Sequence, residues 1–375
     1  MRIFILNSGS SSIKYKLFDQ DLNQISQGTI ERIGEIDNPY STHTKALKAI
    51  EDRLIKENIL KDFSQLTIIA HRVVHGGSIF TQPTIINQKV IEQIRDMIPL
   101  APLHNPANLE GIIAMQSLNS KSKQIAFFDT AFHQTMPKLS YSYAIPNKLH
   151  IRRYGFHGIS HQYLLKETAK LLNKPTTKCN IITLHIGNGA SATAIKNGKS
   201  FKTSMGLTPL EGLIMGTRSG DIDAGIIFYL AKQKNIDIEQ IDNILNKQSG
   251  LKALCGTNDM RDIIYQIKHN NPQAKFAFEL FCTKIKEYIG SYIALLGKVD
   301  AIVFSGGIGA NSFDVRAEVC KDMQYLGVSI DLEKNKKNNI DITHPKSNIK
   351  LFALQTNEEL EMAKESIKRL LKVSK

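Results

Sequence analysis

Three glycine-rich turns in this sequence carry the kinds of donor that phosphate groups bind. The first, NSGSSS, covers residues 7–12 and is followed by Lys14; the second, HIGNGAS, covers 185–191, and the third, GGIGANS, covers 306–312. Backbone N–H groups, small hydroxyls and a lysine all donate to phosphate oxygens. The first turn lacks the Walker A order of residues, and one serine turn alone fits a solvent-exposed loop equally well. Three such turns together favour phosphate binding.

Cationic side chains occur beside glycines at three other places. Arg72 lies in HRVVHGG, His157 in YGFHGISH and Arg218 in MGTRSGDIDAG. Glycine lets the backbone approach a ligand closely. The i,i+4 pair of His157 and His161 is also the spacing of a zinc pair, but the HExxH motif has glutamate where Gly158 stands. We predict that His157 lies near a ligand and that His161 is structural.

Acidic side chains follow two of these stretches. Asp129, in FDTAFHQTMP, comes directly after an apolar strand, the position at which α/β sheets carry working carboxylates. Asp221 and Asp223 precede an apolar stretch. We expect them to cap the helix over 221–233 rather than to bind a metal.

The chain has 375 residues, 48 of them Lys or Arg against 35 Asp or Glu, for a net charge of +13. The basic residues are scattered, so we expect no nucleic-acid partner, although a small anionic substrate fits the surplus. No apolar run is long enough for a membrane span, and the N-terminus turns polar too early for a signal peptide. The four cysteines lie far apart, which predicts neither a disulfide framework nor a zinc site. We expect a cytoplasmic protein.

Two segments share one design. Residues 3–18 and 181–195 each consist of an apolar strand, a Gly/Ser turn and a returning strand. Aligning Leu6 with Leu184 places Gly9 on Gly187, nearly half the chain away. This repeat predicts two similar α/β domains. Further strands are predicted at 67–74 and 124–128, and residues 302–316 are predicted to form a buried strand, a Gly-rich loop and a helix. Helices are predicted at 106–118 (with Asn105 as N-cap), 274–297 and 357–372.

A set of motifs in one order covers essentially the whole chain: NSGSSSIKYKLFD, HRVVHGG, APLHNPANLEGI, FDTAFHQTMP, YGFHGISH, HIGNGAS, TSMGLTPLEGLIMGTRSGDID, NDMRD, GGIGANS and TNEEL. Together they resemble the acetate kinase family. The resemblance implies a duplicated actin-like (sugar kinase and heat-shock ATPase) α/β fold with two similar domains around a central cleft. The implied domains are 1–135 with 360–375, and 136–359. It also implies reversible transfer of the ATP γ-phosphoryl group to acetate, which gives acetyl phosphate and ADP. The implied oligomeric state is a homodimer.

The same resemblance assigns roles to residues. It implies that Asn7 and Glu358 hold Mg²⁺, or Mn²⁺ in its place, and that Asp129, His157 and Arg218 are catalytic. Arg72 would bind the acetate carboxylate, and the methyl group would lie among Val74, Leu103, Phe156 and Pro209. The implied ATP-binding residues are Lys14, His185, Ile186, Gly187, Asn188, Gly189, Asp259, Met260, Arg261, Gly307, Ile308, Gly309, Ala310 and Asn311. The chain departs from the family at Ala224 and Ala310, where the family has proline and glutamate.

Two alternatives stay open at this point. A propionate kinase differs from an acetate kinase by one substrate methylene, which changes binding by only about 1–3 kcal/mol. An actin-like ATPase without a small acceptor would not need two arginines for small anions, so Arg72 and Arg218 argue against it. Acetate is ionised at neutral pH and needs no base. Asp129 is therefore interpreted as an orienting or metal-organising group, with a proton-transfer role as the alternative.

Overall fold

The structure, a computed structural model, describes residues 1–373. The chain forms two compact units. One comprises Met1–Gln134 together with the C-terminal segment from Asn357, and the other comprises Thr135–Thr356. None of the described helices is both long and apolar enough to cross a membrane.

The first unit is a six-stranded sheet covered by helices. Its elements are β1 (Ile3–Ser8), β2 (Ser12–Phe18), β3 (Gln24–Glu31), α1 (His43–Lys56), β4 (Ile68–Val73), β5 (Thr84–Ile85), α2 (Gln88–Asp96), α3 (Asn105–Leu118) and β6 (Lys123–Phe128). The strand order is β3-β2-β1-β4-β6-β5. The last helix of the chain (Glu358–Val373) packs against β1 and β4 of this unit.

The first predicted hairpin is β1–β2, an antiparallel pair. Its turn closes through the Gly9 N–H, which donates to the Ser12 carbonyl at 2.7 Å. One face of β2 is buried, because Tyr15 and Leu17 join one apolar core with side chains of α1 and α3. Burial of this alternating face fixes the register, since a slip of one residue would turn the apolar side chains to solvent.

The start of α3 differs from the prediction. The helix begins at Asn105 and its N-cap is His104, not Asn105. The Asn105 side chain instead accepts from the His75 N–H at 3.1 Å and donates to the His75 carbonyl at 3.0 Å. Because this side chain satisfies the backbone of a neighbouring turn, it cannot cap its own helix.

The second unit is a five-stranded sheet with helices. Its elements are α4 (Lys138–Tyr141), α5 (Gly158–Leu171), β7 (Ile181–Ile186), β8 (Ala190–Lys196), β9 (Lys199–Thr203), α6 (Gly225–Gln233), α7 (Ile238–Lys247), α8 (Gly250–Cys255), α9 (Met260–Lys268), α10 (Pro272–Leu296), β10 (Ala301–Ser305), α11 (Gly306–Gly309), α12 (Phe313–Cys320), α13 (Leu332–Lys336) and β11 (Lys350–Ala353). The strand order is β11-β10-β7-β8-β9. The helix that closes the chain, Glu358–Val373, is α14.

The two sheets repeat one topology. In each, a first strand (β1 or β7) pairs antiparallel with the next strand and parallel with a later one (β4 or β10). The Gly187 N–H closes the second hairpin by donating to the Gly189 carbonyl at 3.0 Å. The repeat predicted from Leu6 and Leu184 is therefore present as two matching sheets.

The helix predicted over 221–233 is shorter. It is α6, which begins at Gly225, and none of its residues is buried. Its N-cap is Ala224, not Asp223, although Asp223 Oδ1 accepts from the Gly225 N–H at 2.9 Å just before the helix. Asp221 is not a cap, because it accepts from the Gly212 N–H at 2.8 Å and from the Tyr288 hydroxyl at 2.8 Å.

Candidate active site

Three predicted site residues lie at the carboxyl ends of neighbouring strands in the first unit. Asn7 is at the end of β1, Arg72 at the end of β4, and Asp129 directly follows β6. β1, β4 and β6 are adjacent and parallel. Ligands of open α/β sheets bind at this edge. The fold thus assembles side chains that are up to 122 positions apart in the sequence, from Asn7 to Asp129.

Arg72 and Asp129 form a bidentate ion pair. Arg72 Nε donates to Asp129 Oδ1 at 2.9 Å and Nη2 donates to Oδ2 at 2.6 Å. Asp129 is 1% exposed. Burial by itself would lower the pKa of Arg72, but the negative charges of Asp129 and Glu358 outweigh it and raise that pKa. The parallel N–H···O bonds fix the plane of the guanidinium.

A cavity of about 360 Å³ lies beside this pair. Asn7, Lys14, Arg72 and Glu358, all predicted site residues, line it, and so do Lys16 and Glu359, which the sequence did not single out. Lys16 Nζ and Glu359 Oε2 are 3.1 Å apart. The cavity is therefore lined by both cationic and anionic side chains.

Glu358 is a partly buried carboxyl in the wall of this cavity, with 17% of its side chain exposed. Its Oε2 lies 3.9 Å from Arg72 Nε. Burial and the negative charge of Asp129, opposed by the positive charge of Arg72, raise the pKa of Glu358 to about 7. A second carboxylate close to Asp129 is costly unless a cation is shared between them.

A divalent metal fits Asn7 and Glu358. Residues 1–373 contain no group of three or more His, Cys, Asp or Glu side chains that could hold a metal. Mg²⁺ is commonly bound by one or two protein carboxylates, with substrate phosphates and water completing the octahedron. The Asn7 amide and the partly buried Glu358 carboxyl both line this cavity, and these group types match that requirement.

The two predicted methyl-pocket residues of this unit differ in exposure. Val74 is 8% exposed, and its N–H donates to Asn108 Oδ1 at 2.9 Å. Asn108 Nδ2 also donates to the Ser8 carbonyl at 2.7 Å, so one side chain of α3 joins the ends of β1 and β4. Leu103 is 50% exposed. Neither Val74 nor Leu103 lines the cavity of Asn7 and Glu358.

The second unit contains a larger cavity of about 810 Å³. Of the predicted ATP-binding residues, those that line it are Gly187, Asn188, Asp259, Met260, Arg261, Gly307, Ile308 and Asn311. His185, Ile186, Gly189, Gly309 and Ala310 do not line it. The sequence reading missed Asn258, Ile264, Lys268, Ser312, Phe313 and Asp314 on its walls. The cavity is large enough for a small cofactor or nucleotide.

Asp259 and Arg261 shape one wall of this cavity. Asp259 is the N-cap of α9, and its carboxylate accepts from the backbone N–H of Arg261 at 2.9 Å. The guanidinium of Arg261 donates to the same carboxylate, and this hydrogen bonding lowers the pKa of Asp259 to about 2. The Arg261 side chain is 90% exposed. Its charge is therefore accessible to an anion from solvent.

His157 is held in an unusual backbone conformation. It is the residue before α5 and has φ 56° and ψ 24°, in the left-handed region. Non-glycine residues in this region often lie at functional sites. The imidazole stacks on that of His185 with centroids 4.3 Å apart, and Nδ1 is 2.9 Å from Ser191 Oγ. Both contacts fix the ring.

Arg218 is a partly buried cation. Its Nη1 donates to the Pro209 carbonyl at 3.1 Å, and no Asp or Glu among the described residues contributes a charge to its electrostatics. Burial lowers its pKa. A desolvated guanidinium without a counterion is costly, and an anionic ligand would supply the missing charge.

Arg218 and His157 meet at the second glycine turn. A Cβ added to Gly189 would lie 3.5 Å from His157 Nε2 and 3.9 Å from Arg218 Nη1. Gly187 and Asn188, one and two residues earlier, line the larger cavity. Two predicted methyl-pocket residues are also in this unit. The Pro209 carbonyl accepts from Arg218, and Phe156, next to His157, is 1% exposed. This corner places a guanidinium and an imidazole nitrogen beside a turn suited to phosphate.

Comparisons with known proteins place the chain among small-molecule kinases. The model of the acetokinase family matches residues 2–364. The acetate kinase of Sulfurovum sp. (strain NBC37-1) is 49% identical over 389 residues, and that of Sulfurimonas denitrificans is 46% identical over 386; each alignment covers 98% of both chains.

Solved structures agree with these matches. The acetate kinase of Porphyromonas gingivalis superposes with a TM-score of 0.94 at 38% identity, and a propionate kinase of Francisella tularensis with 0.93 at 39%. Each covers 98% of this chain and 99% of its own. The predicted duplicated actin-like α/β fold is confirmed.

Proposed function

The chain belongs to the acetokinase family, and from that premise we propose that it transfers the γ-phosphoryl group of ATP to acetate, reversibly and in line. The observation that carries this proposal is Arg218. Its guanidinium has no carboxylate partner among the described residues and lies beside Gly189 of the second glycine turn. A cation in that position suits the negative charge of a transferring phosphoryl group.

Acetate binding is assigned to Arg72. Acetate is already an anion at neutral pH, so the protein has to hold and orient it rather than deprotonate it. Asp129 accepts from Nε and Nη2 of Arg72, which leaves the remaining N–H groups of the guanidinium for the substrate carboxylate. Asp129 acts as the orienting group in this scheme.

Transition-state stabilisation is assigned to Arg218 and His157. Charge on the transferring group spreads over its equatorial oxygens, and fixed donors are the main source of catalysis in phosphoryl transfer. His157 and Arg218 both approach Gly189 within 4 Å of an added Cβ. One donor of this type commonly lowers the activation barrier by about 2.7–4 kcal/mol.

Nucleotide binding is assigned to the second unit. Its cavity of about 810 Å³ is lined by the turns at Gly187 and Gly307 and by the Asp259–Arg261 stretch. Lys14, from the first unit, is assigned to a nucleotide phosphate. Backbone N–H groups of the glycine turns would hold the other phosphates.

Metal binding is assigned to Asn7 and Glu358, with Mg²⁺ as the ion and Mn²⁺ as a substitute. When bound, the ion neutralises charge on the nucleotide phosphates. The partly buried Glu358 carboxyl, whose pKa is about 7, and the Asn7 amide are the protein groups that this role uses.

Acetate is proposed as the acceptor, with propionate as the nearest competitor. Val74 and Leu103 in the first unit and Phe156 and Pro209 in the second are assigned to the methyl group. One methylene in an apolar pocket is worth only about 1–3 kcal/mol. A propionate kinase is among the similar structures, so both acids are included in the test below.

A homodimer is proposed on the evidence of α6. This apolar helix has no buried residue. Ile226, Phe228 and Tyr229 are 40%, 64% and 55% exposed. A second copy of the chain would cover such a surface. Sedimentation should show a dimer, and Phe228→Lys should shift it toward monomer. A wild-type monomer at micromolar concentration would refute the assignment.

The four cysteines are free thiols, which suits the cytoplasm as the working compartment.

The activity is tested with Mg-ATP, acetate and hydroxylamine. Acetyl phosphate reacts with hydroxylamine at the acetyl carbon and releases phosphate, so acetyl hydroxamate should accumulate in step with ADP. ADP formation without hydroxamate would overturn the proposal in favour of an ATPase. Initial rates with acetate and propionate then give the ratio of kcat/KM for the two acids.

A further inference from the structure

One serine hydroxyl in the second unit connects two histidines. Ser191 Oγ lies 2.9 Å from His157 Nδ1 and 2.8 Å from His161 Nε2, and Ser191 is 0% exposed. A hydroxyl has a single proton. It therefore donates to one imidazole and accepts an N–H from the other, so the protonation patterns of the two rings are linked.

Thr183 decides the direction of this linkage. Its Oγ1 is 2.7 Å from His161 Nδ1, Thr183 is 0% exposed, and this nitrogen is the one hydrogen-bond partner of the hydroxyl within residues 1–373. If His161 Nδ1 carried a proton, the Thr183 O–H would be a buried donor without an acceptor, which is unfavourable. The Thr183 hydroxyl therefore donates to His161 Nδ1.

The rest of the chain of hydrogen bonds follows from that donor. With Nδ1 accepting, neutral His161 carries its proton on Nε2 and donates to Ser191 Oγ. Ser191 then donates to His157 Nδ1, and neutral His157 carries its proton on Nε2. We propose that Thr183, His161 and Ser191 are positioning residues that hold His157 as the Nε2–H tautomer.

This tautomer is the useful one for phosphoryl transfer, a consequence that rests on the proposed function. His157 Nε2 lies 3.5 Å from the place of an added Cβ on Gly189, close to Arg218 Nη1. An N–H there donates to a phosphoryl oxygen, whereas the other tautomer would direct a lone pair at it. His185, stacked at 4.3 Å, and Arg218, beside the same glycine, are ionisable groups near the ring.

The fold explains why these four side chains meet. His157 and His161 are one helical turn apart at the start of α5, Thr183 lies on β7, and Ser191 lies on β8. α5 packs against β7. Neighbouring strands thus supply the two hydroxyls to one helix end. The spacing HxxxH in the sequence marks the pair, but not the hydroxyls between them.

The tautomer can be measured without substrate. In the full-length protein with ¹⁵N-labelled histidine, long-range ¹H–¹⁵N correlation spectra report which ring nitrogen carries the proton. We expect Nε2–H for both His157 and His161, with each signal assigned by a His→Gln variant. A wild-type His157 with its proton on Nδ1 would overturn the proposal. This result does not depend on whether the protein forms acetyl phosphate, so it is separate from the failure of the proposed function.

A remote substitution tests the linkage. Thr183→Val keeps the side-chain shape and removes only the donor, two side chains away from His157. Both rings should then show mixed tautomers, and kcat should fall by about two- to ten-fold, the effect of losing one hydrogen bond, with KM for ATP and acetate unchanged. Ser191→Ala should lower kcat by about 10- to 100-fold, as removal of a ring-fixing partner does for metal-bound histidines.

Thr193→Val is the matched control. Thr193 is also a buried threonine, paired opposite Thr183 in the β7–β8 ladder, and its hydroxyl is bonded to Thr203 Oγ1 at 2.9 Å, outside this chain of bonds. It should leave both tautomers and kcat at wild-type values. Equal spectra and rates for Thr183→Val and Thr193→Val would show that Thr183 does not set the tautomer.

Discussion

Asp129 holds Arg72 through two parallel hydrogen bonds, at 2.9 Å from Nε and 2.6 Å from Nη2. The carboxylate is thereby committed to the arginine instead of being available as a base. This geometry supports an orienting role for Asp129, and it leads to a direct test of that role.

Asp129→Asn should lower kcat/KM for acetate by about 100-fold or more. The amide keeps the size of the side chain but lacks the negative charge, and removal of one partner of a buried pair is strongly unfavourable. Initial rates at varied acetate measure the effect, and KM for ATP should change little. The control is Asp300→Asn, which removes the carboxylate partner of Lys174, at 2.7 Å, elsewhere in the fold. Unchanged acetate kinetics in Asp129→Asn would contradict the role.

Arg218→Ala should lower turnover by about 100- to 1,000-fold, the loss typical for one transition-state donor. Arg218→Lys should recover only part of this loss, because lysine lacks the planar set of donors. Nucleotide affinity, measured by calorimetry, should stay near the wild-type value in both variants. Arg53→Ala, at an exposed ion pair with Glu57, serves as control. If Arg218→Ala kept most of its turnover, the assignment would be wrong.

Gly216→Ala should weaken nucleotide binding by about ten-fold. Its added Cβ would collide with Asn188 Oδ1, and Asn188 both lines the nucleotide cavity and accepts from Asn258 Nδ2 at 2.9 Å. Displacement of that side chain removes a hydrogen bond and blocks part of the cavity. Titration with ADP gives the affinity. Affinity equal to that of Gly290→Ala, where no atom lies near the new methyl group, would argue against the prediction.

Gly290→Ala should stabilise the protein by about 0.5–1 kcal/mol. Gly290 lies inside α10, and an added Cβ would meet nothing within 4 Å, so the gain comes from helix propensity and lower chain entropy. Gly297→Ala should instead destabilise the protein. Gly297, at the end of the same helix, has φ +73°, which strains any residue with a Cβ, although no atom lies within 4 Å of the added methyl group. Guanidinium unfolding compares the two. A loss of stability in Gly290→Ala would contradict this explanation.

His71 should make the protein less stable as the pH falls from 6.5 to 4. It is 2% exposed, and its burial lowers its pKa to about 4, against a weaker raising effect of the hydrogen bond to Gln124. The unfolded chain takes up a proton in this window and the folded one does not, so stability is present above pH 6.5 and is lost at about 1.4 kcal/mol per pH unit below it.

Urea unfolding between pH 4 and 7 measures this slope. His71→Gln cannot take up a proton, so its stability should depend less on pH than that of the wild type. His269→Gln, at an exposed histidine, should keep the wild-type dependence. Parallel curves for wild type and His71→Gln would mean that another group is responsible.

The sequence by itself determined the local designs of this protein. Apolar alternation and Gly/Ser turns predicted both hairpins and their repetition, because side-chain period and turn chemistry act between near neighbours. The same local reading predicted the end of β6 as the place of Asp129. It was wrong about Asn105 and Asp221, since both satisfy backbone or hydroxyl groups from distant segments instead of capping the adjacent helix.

Only the tertiary structure decided which side chains touch. The Arg72–Asp129 pair joins two parallel strands, and the linkage from Thr183 through His161 and Ser191 to His157 joins two strands and a helix end. Such contacts depend on sheet register and helix packing over tens of residues, and no local pattern contains that information. Sequence therefore supplied the chemical groups, while the fold determined their partners and, through buried hydroxyls, the direction in which protons are donated.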